Sequence, residues 1–545
     1  MATCGTVLAG AGGAELATVE GASLTGVTVL TKALMSIVRR ESATLGIHRL
    51  LCSGGLRPPS SALIERRYSK LSGLSRNLRT VVCSSRPRSV QRDTRRPIEC
   101  LTALLVAVAA LCFSTSRGPA QTQTAAPSAG RHVVVISVDG MGATFYAAPA
   151  PGMRIPNIRR LMEGGSYAEG VEGVYPTVTY PAHTTLVTGR PPAEHGVYTN
   201  LSSREPGKNA GDWFWFSSAI KVPTLWDEAR RAHLSTASVA WPVTVGASID
   251  WDIPEIWDAQ KGEVADPLYV AKYMNPLVAL ELAALGAPEP GSDTDVDRTR
   301  LAVYLLKSHK PNLLLVHFET LDMAEHASGP ESPKAMATLE RIDEHIGEVL
   351  ATVKEAGLES TTDVFIVSDH GFLPIDRDIA PNVLLAKAGL LAVGNPGKGT
   401  VFTVSNGGSF FVYWPEGQDL RAAVDAALKP LRDQGLVWSV LDRQALKDLG
   451  ADPGAQMALD APDGSSLSGR LSGELIERLG PRGTHGFLPF RQGLESSFIA
   501  WGPGIKPGAN LHRIRMTSIG PTILRALGID DPKFGDDPPL QGVFK

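Results

Sequence analysis

His132-Val-Val-Val-Ile-Ser-Val138, followed by Asp139-Gly140-Met141-Gly142, is the stretch that decides the fold. The run is continuous, apolar and rich in β-branched residues, with no polar alternation. That pattern belongs to a strand covered on both faces, as in a parallel sheet flanked by helices. It stops at Asp139-Gly140, which reads either as a turn or as a functional group. In open α/β sheets such groups collect beyond the carboxyl ends of the strands. Asp139 is therefore placed as a metal ligand or an acid–base group.

Two further runs repeat the design. Asn312-Leu-Leu-Leu-Val-His-Phe318 leads into Glu319-Thr-Leu-Asp322 and His326. The spacing of four puts Asp322 and His326 on one face if the segment is helical. Carboxylate and imidazole together suit zinc or a similar borderline ion. Thr361-Thr-Asp-Val-Phe-Ile-Val-Ser368 ends in Asp369-His370-Gly371-Phe372, an acid and an imidazole adjacent at a strand end. Gly483-Thr484-His485-Gly486 sets a further imidazole between glycines, where backbone can approach a ligand closely. Helical periodicity over 297–309 and 333–356 supplies covering layers. The predicted fold class is α/β, a mainly parallel sheet with helices on both faces.

Upstream of the second strand, Tyr175-Pro-Thr-Val-Thr179-Tyr-Pro181-Ala-His183 runs on through Gly189-Arg190 to Asn200. Proline suits the first turn of a helix, where a missing N–H costs nothing. A hydroxyl just before it lies at the helix N-terminus, which favours an anion. Thr179 is then either an N-cap residue or a nucleophile that bound metals activate.

Taken together these segments, VDGMG, YPTVTYPAHTTLVTGRPPAEHGVYTN, LDMAEHASGP, SDHGF and GTHGF, resemble the type I phosphodiesterase/nucleotide pyrophosphatase family of the alkaline phosphatase superfamily. The resemblance runs from about residue 131 to the C-terminus. It implies an alkaline phosphatase-like fold and two zinc ions, other divalent ions being possible. Asp139, Thr179, Asp369 and His370 would surround one, and Asp322, His326 and His485 would hold the other. It also implies that Asn200 hydrogen-bonds a phosphate oxygen. Ala182 departs from the family's Pro-Asn-His and bears on substrate positioning. The implied reaction is hydrolysis of a phosphodiester or pyrophosphate through a phosphothreonine at Thr179. One metal would favour the alkoxide, the other the leaving oxygen.

The substrate class is narrowed by charge. A monoester dianion benefits from an extra cation opposite the metals, and related monoesterases carry Lys and Arg there. The corresponding stretch here, Thr236 to Gln260, has neither. Diesters or pyrophosphates are therefore expected, with a phosphomonoesterase, a lipid phosphodiesterase or a non-catalytic secreted binding protein as alternatives. Sulfatase chemistry is disfavoured, since those relatives use a modified Cys or Ser where Thr179 stands. Trp213, Phe214 and Trp215 lie in an excursion after Asn200 and either stack a base or acyl chain or close a subsidiary core. The expected partner is a small phosphoester, nucleotide or lipid-like.

Residues 1–130 hold 16 Lys and Arg against 6 Asp and Glu, and the remainder 37 against 50, balances of +10 and −13. An acidic body argues against coating nucleic acid. All five cysteines lie at or before Cys112, which excludes disulfides, thiolate metal sites and cysteine nucleophiles from the body. Basic residues Arg86 to Arg96 precede the apolar run Leu101–Phe113, which is too short to span a bilayer comfortably but suits an export signal. A secreted or periplasmic protein is expected, with no stable membrane span. Because that signal starts well inside the chain, residues 1–85 are expected to lie upstream of the true start and to lack native structure. Residues 86–120 then form the signal-like segment and 121–130 a linker. The catalytic core is assigned to 131–384 and 483–545, with a smaller α+β cap inserted at 385–482.

Overall fold

The computed structural model describes residues 130–202, 213–258, 263–264, 270–285, 294–391 and 401–545. The extension, export segment and linker expected before residue 130 lie outside the described residues, Gly130 apart.

The elements used below are numbered in chain order. The strands are β1 (His132–Val138), β2 (Ser166–Tyr167), β3 (Thr236–Val239), β4 (Trp251–Ile253), β5 (Leu313–Phe318), β6 (Thr362–Val367), β7 (Leu373–Ile379) and β8 (Phe402–Ser405). They continue as β9 (Ser409–Tyr413), β10 (Ser439–Asp442), β11 (Met457–Asp460), β12 (Gly464–Leu467), β13 (Ile476–Thr484), β14 (Phe498–Trp501) and β15 (Ala509–Asn510). The helices are α1 (Pro156–Gly164), α2 (Thr179–Thr188), α3 (Leu225–Arg231), α4 (Thr294–Ser308), α5 (Thr320–Ser328), α6 (Pro333–Glu355), α7 (Arg421–Asp433) and α8 (Ile519–Ala526).

The main sheet has eight strands in the order β15-β2-β14-β6-β1-β5-β3-β4. β1 is parallel to both neighbours, with Val135 opposite Leu315 on β5 and Phe365 on β6. β14 runs antiparallel between β6 and β2, so the sheet is mainly parallel. Alternation along β1 sorts its side chains to two cores. Val134, Ile136 and Val138 pack with apolar residues of α1, α4 and α6. Val133 and Val135 face the opposite way, toward α2, α3 and α8. Burial on both faces explains why these strands read as unbroken apolar runs.

This register lines up the carboxyl ends of three strands. Val138 pairs with Phe318, and Ser137 pairs with both His317 and Val367. Asp139, Glu319 and Asp369 therefore emerge along one edge.

Beyond Phe372 the chain enters smaller sheets. β7 lies between β12, parallel, and β13, antiparallel. β8, β9, β11 and β10 form a separate antiparallel sheet against which α7 packs its apolar face, Val424, Leu428 and Leu431. β13 leads back to the main sheet edge, delivering His485. No helix of the described residues is long and apolar enough to cross a membrane.

Candidate active site

α2 begins at Thr179, with extended Val178 as its N-cap and Pro181 in its first turn. It ends on Gly189 at φ +66°, a left-handed cap where a Cβ would stand 2.8 Å from Gly535 Cα. Every residue of α2 except Thr179 is buried, so Thr179 is where this core helix meets the outside. Asn200 accepts the Tyr180 backbone N–H through Oδ1 at 2.9 Å. That bond orients the carboxamide beside Thr179 and leaves its NH2 group as a donor.

His183 fixes Thr179 from beneath. It is fully buried, and burial together with the neighbouring His317 pushes its pKa down to about 3. The neutral ring places Nδ1 2.8 Å from the Thr179 carbonyl oxygen and Nε2 2.9 Å from Ser137 Oγ. Nδ1 donates to the carbonyl, which can only accept, and Nε2 accepts from the hydroxyl. Nδ1 also lies 3.7 Å from Asp369 Oδ2.

Two groups of acids and imidazoles converge at this edge. In the first, His370 Nε2 is 3.1 Å from Asp369 Oδ2 and 3.5 Å from Asp139 Oδ1. In the second, His326 Nε2 is 3.1 Å from His485 Nε2, and Asp322 Oδ1 is 3.5 Å and 3.6 Å from those two nitrogens. The α5 turn brings Asp322 and His326 onto one face, as their spacing predicts. The groups adjoin: the His370 and His485 rings stack with centroids 3.7 Å apart, and Asp322, His370 and His485 also cluster. Glu325, fully buried one residue before His326, adds a further acid whose carboxyl is pushed up by burial and by Asp322, Asp139 and Asp369.

The residues present fit divalent metals. Asp139 Oδ1, Asp322 Oδ1, Asp369 Oδ2 and His370 Nε2 are buried, yet none makes a hydrogen bond. Buried polar atoms are normally satisfied; these crowd together and are aimed at common points. Burial and the charges of Asp369 and Asp322 push the Asp139 carboxyl well above its ordinary range. Burial alone would raise Asp369 too, but His370 and His183 beside it hold its carboxyl low. Nitrogen and oxygen donors in such sets suit zinc-like ions. Asp139, His183 and His317 also lie close together, but there the nitrogens are committed. Those of His183 are held by Thr179 and Ser137, and those of His317 by Asp139 and Ala240.

His485 is fixed by a crossing of chain segments. Its Nδ1 is 3.0 Å from the Thr177 carbonyl oxygen, and the Gly486 N–H donates to the same oxygen at 2.9 Å. Gly486 has φ +90°, and a Cβ there would fall 1.7 Å from Asn406 O. Trp213 packs against Tyr180 with ring centroids 5.3 Å apart. Trp213, Phe214 and Trp215 are half-buried around Tyr180, Val197 and Val243.

The candidate residues read from the sequence thus gather at one edge. Sequence reasoning missed His183, His317, Glu255 and Arg298. His317 carried a signal: an imidazole inside an apolar strand must find a buried partner.

A family model described as type I phosphodiesterase/nucleotide pyrophosphatase matches residues 133–453. The Rattus norvegicus ectonucleotide pyrophosphatase/phosphodiesterase family member 1 is 26% identical over 245 residues, 44% of this chain and 24% of its own length. The Bos taurus bis(5'-adenosyl)-triphosphatase is 27% identical over 259 residues, 46% of this chain and 49% of its own. The chain thus spans a quarter to a half of the length of these curated relatives. Among solved structures, murine ectonucleotide pyrophosphatase/phosphodiesterase 5 superposes with a TM-score of 0.56 at 19% identity, covering 74% of this chain and 98% of that one. An inactive variant of it in complex with AMP gives 0.55 at 18% identity, covering 74% and 97%.

Proposed function

The chain belongs to the type I phosphodiesterase/nucleotide pyrophosphatase family, and from that premise we propose that it hydrolyses phosphodiester or pyrophosphate bonds through a phosphothreonine at Thr179. The carrying observation is the convergence of buried carboxylate and imidazole atoms without hydrogen bonds beside the half-buried start of α2. Asp139, Asp369, His370 and the Thr179 hydroxyl would hold one divalent ion, zinc by donor set, and Asp322, His326 and His485 a second. When bound, such ions supply Lewis-acid charge to the oxygens of an in-line displacement.

The remaining work falls to the chain. His183 holds the Thr179 carbonyl, so the nucleophile's backbone is fixed before substrate arrives. Thr179 Oγ attacks phosphorus, the P–O bond to the leaving group breaks, and water later cleaves the phosphothreonine. The Asn200 amide, oriented through Tyr180 N–H, donates to a non-bridging oxygen, and the α2 N-terminus favours the developing charge. Trp213, Phe214 and Trp215 form a wall for the base or acyl part of a nucleotide or lipid-like substrate.

Diesters are favoured over monoesters. Besides the absence of Lys and Arg from 236–260, the buried Arg298 is already bound to Glu255 and Glu319. Export to the cell exterior or periplasm completes the proposal and rests on the basic and apolar run at residues 86–113.

Rates on bis-p-nitrophenyl phosphate, a nucleoside triphosphate, a lysophospholipid and a monoester, with metal content measured on the same sample, test the reading. Thr179→Ala is expected to abolish turnover, by about 10³-fold or more, with the second ion, which Thr179 does not hold, still binding. Unchanged diester hydrolysis in that variant would remove Thr179 from the chemistry, and a zinc-loaded wild type inert on all four substrates would favour a binding protein.

A further inference from the structure

Behind Asp139 lies an ionic cluster that the proposed chemistry does not use. His317, near the end of β5, directs Nε2 to Asp139 Oδ2 at 3.0 Å. On its other side Nδ1 is 3.1 Å from the Ala240 carbonyl oxygen and 3.2 Å from Glu255 Oε1. The Ala240 carbonyl can only accept, so Nδ1 carries a proton, and the ring cannot flip without losing its bonds on both sides. Glu255 is itself clamped: Arg298 Nη2 reaches Glu255 Oε1 at 3.1 Å and Glu319 Oε2 at 2.6 Å. Arg298 Nη1 donates to the His317 carbonyl oxygen at 3.0 Å. The guanidinium thus grips both the backbone of His317 and the carboxylate that fixes its ring. All four side chains, His317, Glu255, Arg298 and Glu319, are almost wholly buried.

We propose that Glu255, acting through His317, is a positioning residue for Asp139, leaving that carboxylate only Oδ1 with which to bind metal. The inference rests on the reading of Asp139 as a metal ligand. With Oδ2 held by His317, Oδ1 is the buried oxygen that makes no hydrogen bond, 3.5 Å from His370 Nε2. Asp139 is thereby restricted to one-atom coordination in a fixed direction. Ala240 follows β3, Glu255 follows β4 and Arg298 comes from α4, so three parts of the chain set the angle of one ligand. An ionic cluster kept only for folding would need no bond to Asp139.

The test uses the full chain loaded with zinc, or with cobalt(II) as a spectroscopic probe. Chelator competition in Glu255→Gln and His317→Ala should show one metal site weakened about 10- to 100-fold and the other unchanged. The cobalt visible spectrum should shift, and kcat should fall at saturating metal with KM little altered. His317→Gln, which restores a donor to Oδ2, should recover much of the His317→Ala loss. That variant leaves Glu255, Arg298 and Glu319 intact, so it reads the same link if Glu255→Gln does not fold. Wild-type affinities and an unchanged cobalt spectrum in variants whose melting temperature falls would overturn the proposal. A wild type that binds no divalent metal would overturn the reading of Asp139 itself, and this inference with it.

Discussion

At the scale of single residues, the site divides one amide's work between two atoms. Asn200 spends Oδ1 on the Tyr180 N–H and leaves its NH2 as the donor for the proposed phosphate contact. Asn200→Asp keeps the acceptor and replaces the donors with a carboxylate, so it bears on the second role. A loss of about 10²-fold in kcat is expected, the usual cost of one charge-stabilising donor; wild-type turnover in this variant would exclude the contact. A second residue carries a pH dependence outside the site. Asp252 on β4 is buried, and burial pushes its carboxyl up to about 8, with Thr244 and Ser238 opposing the shift. Between about pH 4 and pH 8 the native state therefore holds a proton that the unfolded chain releases. Stability falls as pH rises across that window, by up to about 1.4 kcal/mol per unit, and levels off above it. Asp252→Asn removes the slope. Its melting temperature should match wild type near pH 4 and exceed it at pH 8; equal pH profiles would show that Asp252 ionises freely.

At the scale of elements, the site depends on segments that meet edge-on. The turn at Asn406–Gly408 touches the His485 backbone, since the Gly408 N–H donates to the His485 carbonyl oxygen at 2.7 Å. Gly486→Ala would drive a Cβ into Asn406 O and add left-handed strain of roughly 1–2 kcal/mol. His485 must then move, and the expected result is a protein that folds with one weakened metal site and activity reduced about 10- to 100-fold, read by metal titration beside circular dichroism. The contrast with β1, β5 and β6 shows what a sequence carries. Their unbroken apolar runs announce buried parallel strands, and Asp139 and Asp369 stand where such strands stop. Asp322 and His326 share a face by helical spacing alone. His183, Glu255 and Arg298 gave no such sign. Their significance is a matter of who faces them across the sheet edge, and 43 residues separate Glu255 from Arg298. The stretch from Thr236 to Gln260 was informative for the cations it lacks, while its contributions to the site, the Ala240 carbonyl and Glu255, depend on long-range packing.

At the scale of the whole molecule, formal charge nearly balances at −3, but within the body that carries the site it works against the proposed substrate. Residues 131–545 carry a formal balance of −13, from 37 Lys and Arg against 50 Asp and Glu. An anion approaching from solution meets net repulsion before it reaches any metal, and the buried Arg298 is neutralised by Glu255 and Glu319. Attraction must therefore be local, within the short range of the proposed metals and of the α2 N-terminus. Salt separates the two ranges. The screening length falls from about 30 Å at 0.01 M to about 10 Å at 0.1 M ionic strength, which weakens repulsion from the distant surface more than contacts inside a partly dry site. Raising ionic strength across that range should therefore raise kcat/KM for a nucleoside triphosphate severalfold. The effect should be smaller for the singly charged bis-p-nitrophenyl phosphate, and kcat should be nearly unchanged for both, because steering acts on encounter and not on chemistry. A fall in kcat/KM with added salt would mean that positive charge on the surface around the site outweighs the acidic body, and that the metals are not the sole attraction.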